Sequence, residues 1–257
     1  MINIGKDLKK MTHHHDNNGG CVDCPIREHT LFNGLSDKSM TWIDSHKQQG
    51  QHLLDVGALL YEENQPQDEV YILTKGWMMG YQSLSNGKRQ ILYFALPGDI
   101  LGFKSQHKKR IEHSVQAITA VHLCVFSNEN LHHVLNQETL AKQNMFNILA
   151  DKMDVYHQHL LGMGQKQAEE RIAFLLLDLY HRIMKQQPIP SKQPQNSVFF
   201  PLNQTHIAEA TGMSVVHTNR VLQKLFNKQI IAIHQHHLIL KDEQQLAALA
   251  QFDLVSY

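Results

Sequence analysis

The stretch QTHIAEATGMSVVHTNRVLQKLF (204–226) decides the fold of the C-terminal part of the chain. Gly212 separates two helical patterns at a point where a tight turn needs positive φ. Ser214 follows as an N-cap for the second helix, and Ala208 is small where the two helices must approach closely. The second helix has an apolar face for burial, formed by Val221, Leu222 and Leu225. This pattern predicts a helix-turn-helix.

The second helix, predicted over 214–228, has an outer face that is suited to DNA. No acidic residue occurs in this segment. Arginine bridges O6 and N7 of guanine and asparagine bridges N6 and N7 of adenine, whereas lysine suits phosphates. We therefore expect Arg220 and Asn219 at base edges and Lys224 and Lys228 at phosphates. The predicted DNA-binding side chains are those of Ser214, Val216, His217, Asn219, Arg220, Gln223 and Lys224.

Two short strands are predicted after this helix, over 229–233 and 238–240. They flank the run His234-Gln235-His236-His237, and their position indicates a wing whose tip lies near phosphate. The histidines could instead bind a metal. Adjacent residues of a strand point to opposite faces, which favours the wing tip over the metal site.

A helix predicted over 168–184 precedes the helix-turn-helix, with acidic residues near its start and basic residues near its end, as the helix dipole favours. Three prolines then predict an exposed and mobile connection over 186–197. Further upstream, apolar residues recur at steps of 4, 4, 3, 4 and 3 through a long helix. They are Met145, Leu149, Met153, Tyr156, Leu160 and Met163. This heptad-like stripe predicts a symmetric coiled-coil dimer; the alternative is packing on the chain's own β-domain.

The region 53–126 contains short apolar strands separated by turn residues. Strands are predicted over 70–73, 77–84, 90–96, 114–120 and 122–126. Asn86-Gly87 marks a hairpin, since this pair tolerates positive φ, and Pro97-Gly98-Asp99 marks another turn. Strands this short and this close together predict an all-β roll or barrel.

Composition and length set the outer bounds on function. The 257 residues suffice for two domains, and 24 basic residues balance 24 acidic ones, so a nucleic-acid partner rests on local patches. No apolar run of about 18 residues predicts a membrane span, and the polar start of the chain predicts no secretory signal. Three cysteines, an odd number, argue against a disulfide framework and favour the cytoplasm.

Two other functional classes were weighed against a DNA-binding regulator. A cupin-type metalloenzyme needs converging His and Glu ligands, and His107, His113 and His122 form no compact HxH motif. No GxSxG, Walker or HExxH motif occurs either, so no enzyme is expected. A signalling adaptor with a cyclic-nucleotide-like domain and no DNA role is the second alternative, against which the helix-turn-helix argues.

Several motifs in a fixed order resemble the CRP/FNR family of bacterial regulators, over about 21–250. They are CVDCPIR from Cys21, VYIL from Val70, PGDILG from Pro97, AEERIA from Ala168 and the recognition unit 205–225. The resemblance implies an α+β protein with an N-terminal arm (1–30), a cyclic-nucleotide-binding-like β-roll or jelly roll (31–136), a dimerisation helix (137–164) and a winged helix-turn-helix (165–257). It also implies that a signal from the β-roll and arm reaches the recognition helix 214–228 through the dimer helix.

The resemblance further implies a homodimer on double-stranded DNA with an inverted-repeat operator, and RNA polymerase as a partner if the protein activates. The family's base-reading arginine matches Arg220. Members that read the best-known operators carry Glu four residues before it, where this chain has Val216. Valine cannot accept a hydrogen bond from cytosine, so the half-site is expected to differ.

Two ligands that the family uses were considered for the sensor. Cyclic-nucleotide members hold the phosphate with Gly-Glu followed by Arg-Ser or Arg-Thr, whereas here Asp99 follows Gly98 and Ile111 and Glu112 follow Arg110. An acid beside the phosphate would repel it, which argues against cyclic AMP.

An iron–sulfur cluster is the second ligand. Cys21, Cys24 and Cys124 stand at family positions, but Thr30 and Phe32 occupy the places of the remaining arm cysteine. The fourth-ligand candidates are Asp23, His29 and the histidines 13–15. A thiol redox switch, structural cysteines without a cofactor, and another effector such as haem are the alternatives.

Overall fold

The computed structural model describes residues 20–48, 52–105, 110–186 and 196–252. The histidines 13–15, His107 and most of the predicted connection 186–197 lie outside these ranges. Contacts divide the chain into two compact units. Unit 1 contains the described residues up to Gln82 together with Phe94–Leu149, and unit 2 contains Ser83–Tyr93 together with the described residues from Ala150 onward.

Short β-strands preceded by a compact arm make up most of unit 1, and the hairpin segment Ser83–Tyr93 is the part of these strands that is grouped with unit 2. The arm has two 3₁₀ turns, Cys21–Asp23 and Arg27–His29, followed by α1 (Asp37–Asp44). The strands are β1 (His52–Leu54), β2 (Leu59–Tyr61), β3 (Glu69–Lys75), β4 (Met78–Ser83), β5 (Arg89–Ala95), β6 (Ile100–Leu101), β7 (Ser114–Ala117) and β8 (Val121–Ser127), and α2 (Asn128–Gln137) follows. They form two four-stranded sheets, ordered β1-β8-β3-β6 and β2-β7-β4-β5, so the predicted β-roll is confirmed.

The arm packs against the roll because both contribute apolar side chains to one core. This core joins arm residues such as Leu31, Phe32 and Ile43 to Phe126 of β8 and to Met145. Burying each large apolar side chain stabilises the fold by roughly 1.5–3 kcal/mol. The arm is therefore a structural layer of unit 1.

One predicted strand is shorter than expected. The sequence predicted 114–120, but β7 ends at Ala117. The N–H groups of Ile118 and Thr119 both donate to the carbonyl oxygen of Trp77, at 2.8 and 3.3 Å, and so leave the β-ladder. This turn of the backbone is set by a distant residue, which local residue preferences do not reveal.

The long helix α3 (Thr139–Gln165) carries the predicted apolar stripe, with one correction. Met145, the first member, is 5% exposed and packs in the core of unit 1, as the alternative reading expected. The later members are exposed, and Leu160 is exposed by 74%. The exposed apolar residues of α3 are Leu140, Phe146, Leu149, Met153, Tyr156, Leu160, Leu161 and Met163. From Leu149 onward the stripe is therefore largely exposed in the part of the chain that the structure describes.

Unit 2 is a helical domain with a small sheet. Its elements are α4 (Ala168–Gln186), β9 (Ser197–Phe199), α5 (Gln204–Thr211), α6 (Val215–Asn227), β10 (Ile231–His234), β11 (His237–Leu240) and α7 (Glu243–Ala250). The sheet order is β10-β11-β9. The sequence did not predict β9, and β10 starts two residues later than expected, because Gln229 adopts a φ of 57°. In the described ranges no helix is both long and apolar enough to cross a membrane.

Candidate nucleic-acid interface

The helix-turn-helix has the local structure that its sequence predicted. Asn203 caps α5, its Oδ1 accepting from the N–H of His206 at 2.9 Å. Gly212 then turns the chain with φ 66° and ψ 31°, and the N–H of Met213 donates to the carbonyl oxygen of Ala208 at 2.9 Å. Ser214 caps α6, its Oγ accepting from the N–H of His217 at 3.2 Å. An N-cap of this kind contributes roughly 1 kcal/mol.

Gly212 is required by its backbone conformation, and the tip of a methionine lies beside it. A Cβ at this position would lie 2.4 Å from the Cε of Met163, near the end of α3. A larger residue would therefore carry the strain of a left-handed backbone, whereas the flexible end of that methionine could move aside. The turn between α5 and α6 is thus closely packed against α3.

Most of the predicted DNA-binding side chains lie on one exposed face of α6. Those exposed are Ser214, Val216, His217, Arg220, Gln223 and Lys224, while Val221, Leu222 and Leu225 are buried as predicted. Asn219 differs from the expectation. It is half-buried, and its Oδ1 is enclosed with no hydrogen-bond partner among the described residues. The geometry thus offers Arg220 to a base edge and leaves the amide oxygen of Asn219 facing inward.

Helix α4 supplies an acidic residue to the basic end of α6. The Nζ of Lys224 donates to Oε1 of Glu169, and the Nζ of Lys228 lies 3.7 Å from Oε2 of the same carboxylate. The segment 214–228 itself contains no acid, so sequence reasoning missed this contact. The acidic residues near the start of α4 were expected only to favour the helix dipole.

Arg171 of α4 was also missed. Its guanidinium Nη1 donates to the carbonyl oxygen of Thr211 at 3.1 Å, at the last residue of α5. Carbonyl groups at a helix end lack partners within the helix, so this contact satisfies one of them. Both missed residues lie in the AEERIA motif, whose spacing could have suggested contacts with the following helices.

The wing is a tight hairpin. Gln235 and His236 form its tip with φ values of 48° and 60°, and His234 pairs with His237 across it. Two consecutive positive φ values are typical of a hairpin whose turn matches the twist of its strands. No group of three His, Cys, Asp or Glu side chains in the described ranges is arranged to hold a metal ion, so the wing histidines do not form such a site.

Cys21 of the arm is buried and hydrogen-bonded beside an ion pair. Cys21 is buried, and its N–H donates to Oδ1 of Asp44 at 3.3 Å. Burial and a hydrogen bond to Asp44 raise the pKa of Cys21 to about 12. Burial would also raise the pKa of Asp44, but hydrogen bonds from Lys47 and Cys21 lower it. The Nζ of Lys47 lies 2.5 Å from that carboxylate. Cys21 is therefore a protonated thiol at neutral pH.

Cys124 lies on β8 opposite Ile72, and burial raises its pKa as well. Cys124 lies close enough to both Cys21 and Cys24 to interact with them electrostatically, so the three thiols share one neighbourhood. Among the described residues, however, no three side chains of His, Cys, Asp or Glu converge to hold a metal ion, so neither Asp23 nor His29 joins the thiols in such a set.

The turn that would face a cyclic phosphate is occupied by protein groups. Asp99 uses its carboxylate to accept from the N–H of Leu96 at 2.8 Å. A Cβ on Gly98, whose φ is 96°, would lie 2.4 Å from the carbonyl oxygen of His29. The arm thus packs directly on this turn, while Arg110 and Glu112 are exposed.

Comparison with protein families gives two matches in chain order. Residues 52–138 match the cyclic nucleotide-binding domain, and residues 170–249 match the Crp-like helix-turn-helix domain. The first match covers the β-roll from β1 to α2, and the second covers most of unit 2. The two matches therefore correspond to the strands and to the helix-turn-helix described above.

Individual relatives match over most of their length. The nitrogen fixation regulation protein FixK of Rhizobium meliloti (strain 1021) is 30% identical over 179 residues, which are 69% of this chain and 75% of that protein. The protein of the same name from Bradyrhizobium diazoefficiens is 26% identical over 230 residues, or 90% and 93%. The solved structure of FixK2 from Bradyrhizobium japonicum superposes with a TM-score of 0.68 at 23% identity, covering 77% of this chain and 96% of that one. The structural likeness confirms the α+β fold.

Proposed function

The chain belongs to the CRP/FNR family of DNA-binding transcription regulators, and from this premise we propose that two copies paired along α3 read an inverted-repeat operator through α6. Each copy would place one recognition helix in a major groove, the two grooves lying about one helical turn apart. The β-roll and arm receive the signal, and α3 relays it to α6. The cytoplasm is the proposed location, and RNA polymerase is a further partner if the protein activates.

This proposal rests on one observation: Arg220 is exposed on the outer face of a helix whose start is capped and whose inner face is buried. No acidic group in the described ranges pairs with its guanidinium, so its five donors are available to guanine. Ser214 fixes the start of α6, and Leu222 and Leu225 anchor its inner face. A fixed helix with an available arginine at its outer face is what base reading requires.

The proposed pairing of two copies rests on the exposed apolar residues of α3. Its exposed apolar residues from Leu149 to Met163 form a surface too large to be scattered single exposures, which are normal on proteins. A second copy of the same helix is the occupant that a two-fold operator requires. The two α6 helices of the paired copies would then be held at a fixed spacing.

Selection of bound duplexes from a random DNA library tests this function. We expect an inverted repeat whose half-site contains a guanine for Arg220 and differs from the best-known family operators where Val216 stands. Binding should weaken steeply as salt rises, because phosphate contacts release counterions. A protein that enriches no sequence, or that enriches a single unrepeated site, would contradict the proposal.

The nature of the signal is a separate part of the proposal. The occupied turn at Gly98 and Asp99 supports an effector other than a cyclic nucleotide. We propose a signal received without an iron–sulfur cluster, because burial raises the pKa of Cys21 and Cys124 and so disfavours the thiolates that a cluster needs, and no step is assigned to one. Anaerobic purification with iron, sulfide and visible-spectrum analysis tests this. Stoichiometric iron and sulfide would contradict it.

A further inference from the structure

One carboxylate faces both lysines at the far end of the recognition helix. Glu169 receives a hydrogen bond from Lys224 and lies 3.7 Å from Lys228, as described above. Its side chain is 21% exposed, whereas those of Lys224 and Lys228 are 54% and 48% exposed. The acid is thus the more firmly enclosed partner, and the lysines reach in to it from solvent.

Glu169 is held in place by its helix. The next turn of α4 is buried from Ile172 onward, and Arg171 ties α4 to the end of α5 through the carbonyl oxygen of Thr211. The neighbouring Glu170 has a different role, since its Oε2 accepts from the N–H of Gln167 at 2.6 Å. Two adjacent acids of α4 therefore differ: one faces the basic end of α6, and the other closes the start of its own helix.

A DNA phosphate and the Glu169 carboxylate offer the same chemistry to a lysine: a negative charge on oxygen acceptors. A lysine engaged by the carboxylate is not free to displace counterions from the DNA backbone. Phosphate contacts carry no sequence information, so withholding one of them weakens binding to all DNA while the contacts made by Arg220 remain.

We propose that Glu169 is a specificity-determining residue that pairs with Lys224 and Lys228, cancels one of their two positive charges, and so keeps recognition dependent on base contacts. This inference rests on the proposed DNA-binding function. It predicts that Lys224 and Lys228 together contribute the salt dependence of about one phosphate contact to the wild-type protein, although both lie on the recognition helix and are exposed.

The effect can be scaled from counterion release. Each phosphate neutralised contributes about 0.9 to the slope of log affinity against log salt. Removing the single charge of Glu169 should steepen the slope by up to about 0.9, which corresponds to roughly 3.5-fold more affinity lost between 50 and 200 mM salt. At low salt the variant should bind scrambled DNA more tightly than the wild type, and its preference for the operator should shrink.

The test uses the full-length protein and fluorescence anisotropy with two labelled duplexes, a selected operator and a scrambled sequence, at 50–200 mM salt. The proteins are the wild type, Glu169→Gln and the matched control Glu170→Gln, which makes the same charge change one residue away. We expect a steeper slope and tighter scrambled-DNA binding for Glu169→Gln only. An unchanged slope, or an equal change in the control, would overturn the inference.

A second variant removes any dependence on the folding of Glu169→Gln. In Lys224→Met with Lys228→Met, the two lysines are lost but the slope should fall by only about 0.9, because Glu169 already cancels one of their two charges. A slope reduced by about 2 would mean that the lysines reach phosphates in the wild type, and the role of Glu169 would be wrong. If the wild-type protein shows no preference for either duplex, both the proposed function and the inference are wrong. If the wild type prefers the operator but the substitutions do not change the salt slope as expected, only the inference is wrong.

Discussion

The recognition helix and the cysteine-bearing arm are two regions that the sequence marked as functional, and the structure treats them in opposite ways. Arg220 of α6 projects from a capped helix with its guanidinium available. Cys21 of the arm is buried in a core, hydrogen-bonded to Asp44 and protonated at neutral pH. The recognition helix keeps the hydrogen-bond donors of Arg220 available for DNA. In the arm, the thiol of Cys21 is already engaged by another residue of the protein. A residue type that is typical of functional sites therefore indicates function only when its polar or reactive group has no partner within the protein.

The largest expected effect concerns the pairing that brings two α6 helices together. Leu160→Glu places a charge at a position of α3 that is 74% exposed in the single chain. Linking two binding modules raises affinity by roughly 100- to 10,000-fold, so loss of the dimer should lower operator affinity by that order. Sedimentation velocity and anisotropy measure the two changes.

Gln158→Glu is the matched control for the dimer prediction, since it adds the same charge on the same helix away from the exposed apolar stripe. It should leave both the dimer and operator binding intact. Dimeric Leu160→Glu protein that binds the operator normally would show that α3 does not join the copies.

The second prediction addresses the arm. At pH 8 the thiol of Cys21 should react with iodoacetamide about a thousandfold more slowly than a thiol of ordinary pKa, because a pKa of about 12 leaves so little thiolate. Mass spectrometry of quenched samples gives the rate, with urea-unfolded protein as the reference. Asp44→Asn removes the neighbouring negative charge and should speed the reaction. Rapid alkylation of folded wild type, or ready formation of a disulfide with Cys124, would favour the thiol redox switch instead.

The third prediction sharpens the contrast at Arg220. Arg220→Ala should cost about 1–3 kcal/mol in operator binding and relax preference at one base pair of each half-site. Arg220→Lys keeps the charge but loses the fork that bridges guanine, so it should relax preference to a similar degree while binding to scrambled DNA stays near wild type. Competition gel shifts with single-base operator variants resolve the two effects. Wild-type preference in both variants would place base reading elsewhere.

The smallest expected effect compares two helix caps, one from each unit. Ser214 accepts from the N–H of His217 at the start of α6, and Ser127 accepts from the N–H of Asn130 at the start of α2. Replacing either by Ala should lower the free energy of unfolding of its unit by about 1 kcal/mol. Only Ser214→Ala should also weaken DNA binding, which thermal melting and anisotropy together would reveal. Equal effects of both on DNA binding would indicate general destabilisation.

The sequence predicted best where structure depends on neighbours along the chain. Gly212, Ser214 and the buried spacing of α6 are local features, and they located the helix-turn-helix to within a residue of its observed ends. The strands of the roll were largely found for the same reason. The end of β7 was missed, because it depends on a carbonyl of Trp77 some forty residues earlier in the chain.

The features that sequence missed are all contacts between distant segments. Glu169 meets Lys224 across 55 positions, and Met145 turns into the core of its own unit because the arm and β8 fill the space around it. The inward-facing oxygen of Asn219 depends on packing that periodicity alone does not specify. Burial and pairing of this kind follow from the assembled fold, so they could be observed only in the structure.

The methionine beside Gly212 has a mechanical consequence. The thioether tip of Met163 fills the space beside Gly212 in which a Cβ would lie, 2.4 Å from it. Methionine is flexible, so this contact can change its shape without being lost. A small rotation of the last turn of α3 is therefore met first by the side chain of Met163 and only then by the backbone of the turn between α5 and α6.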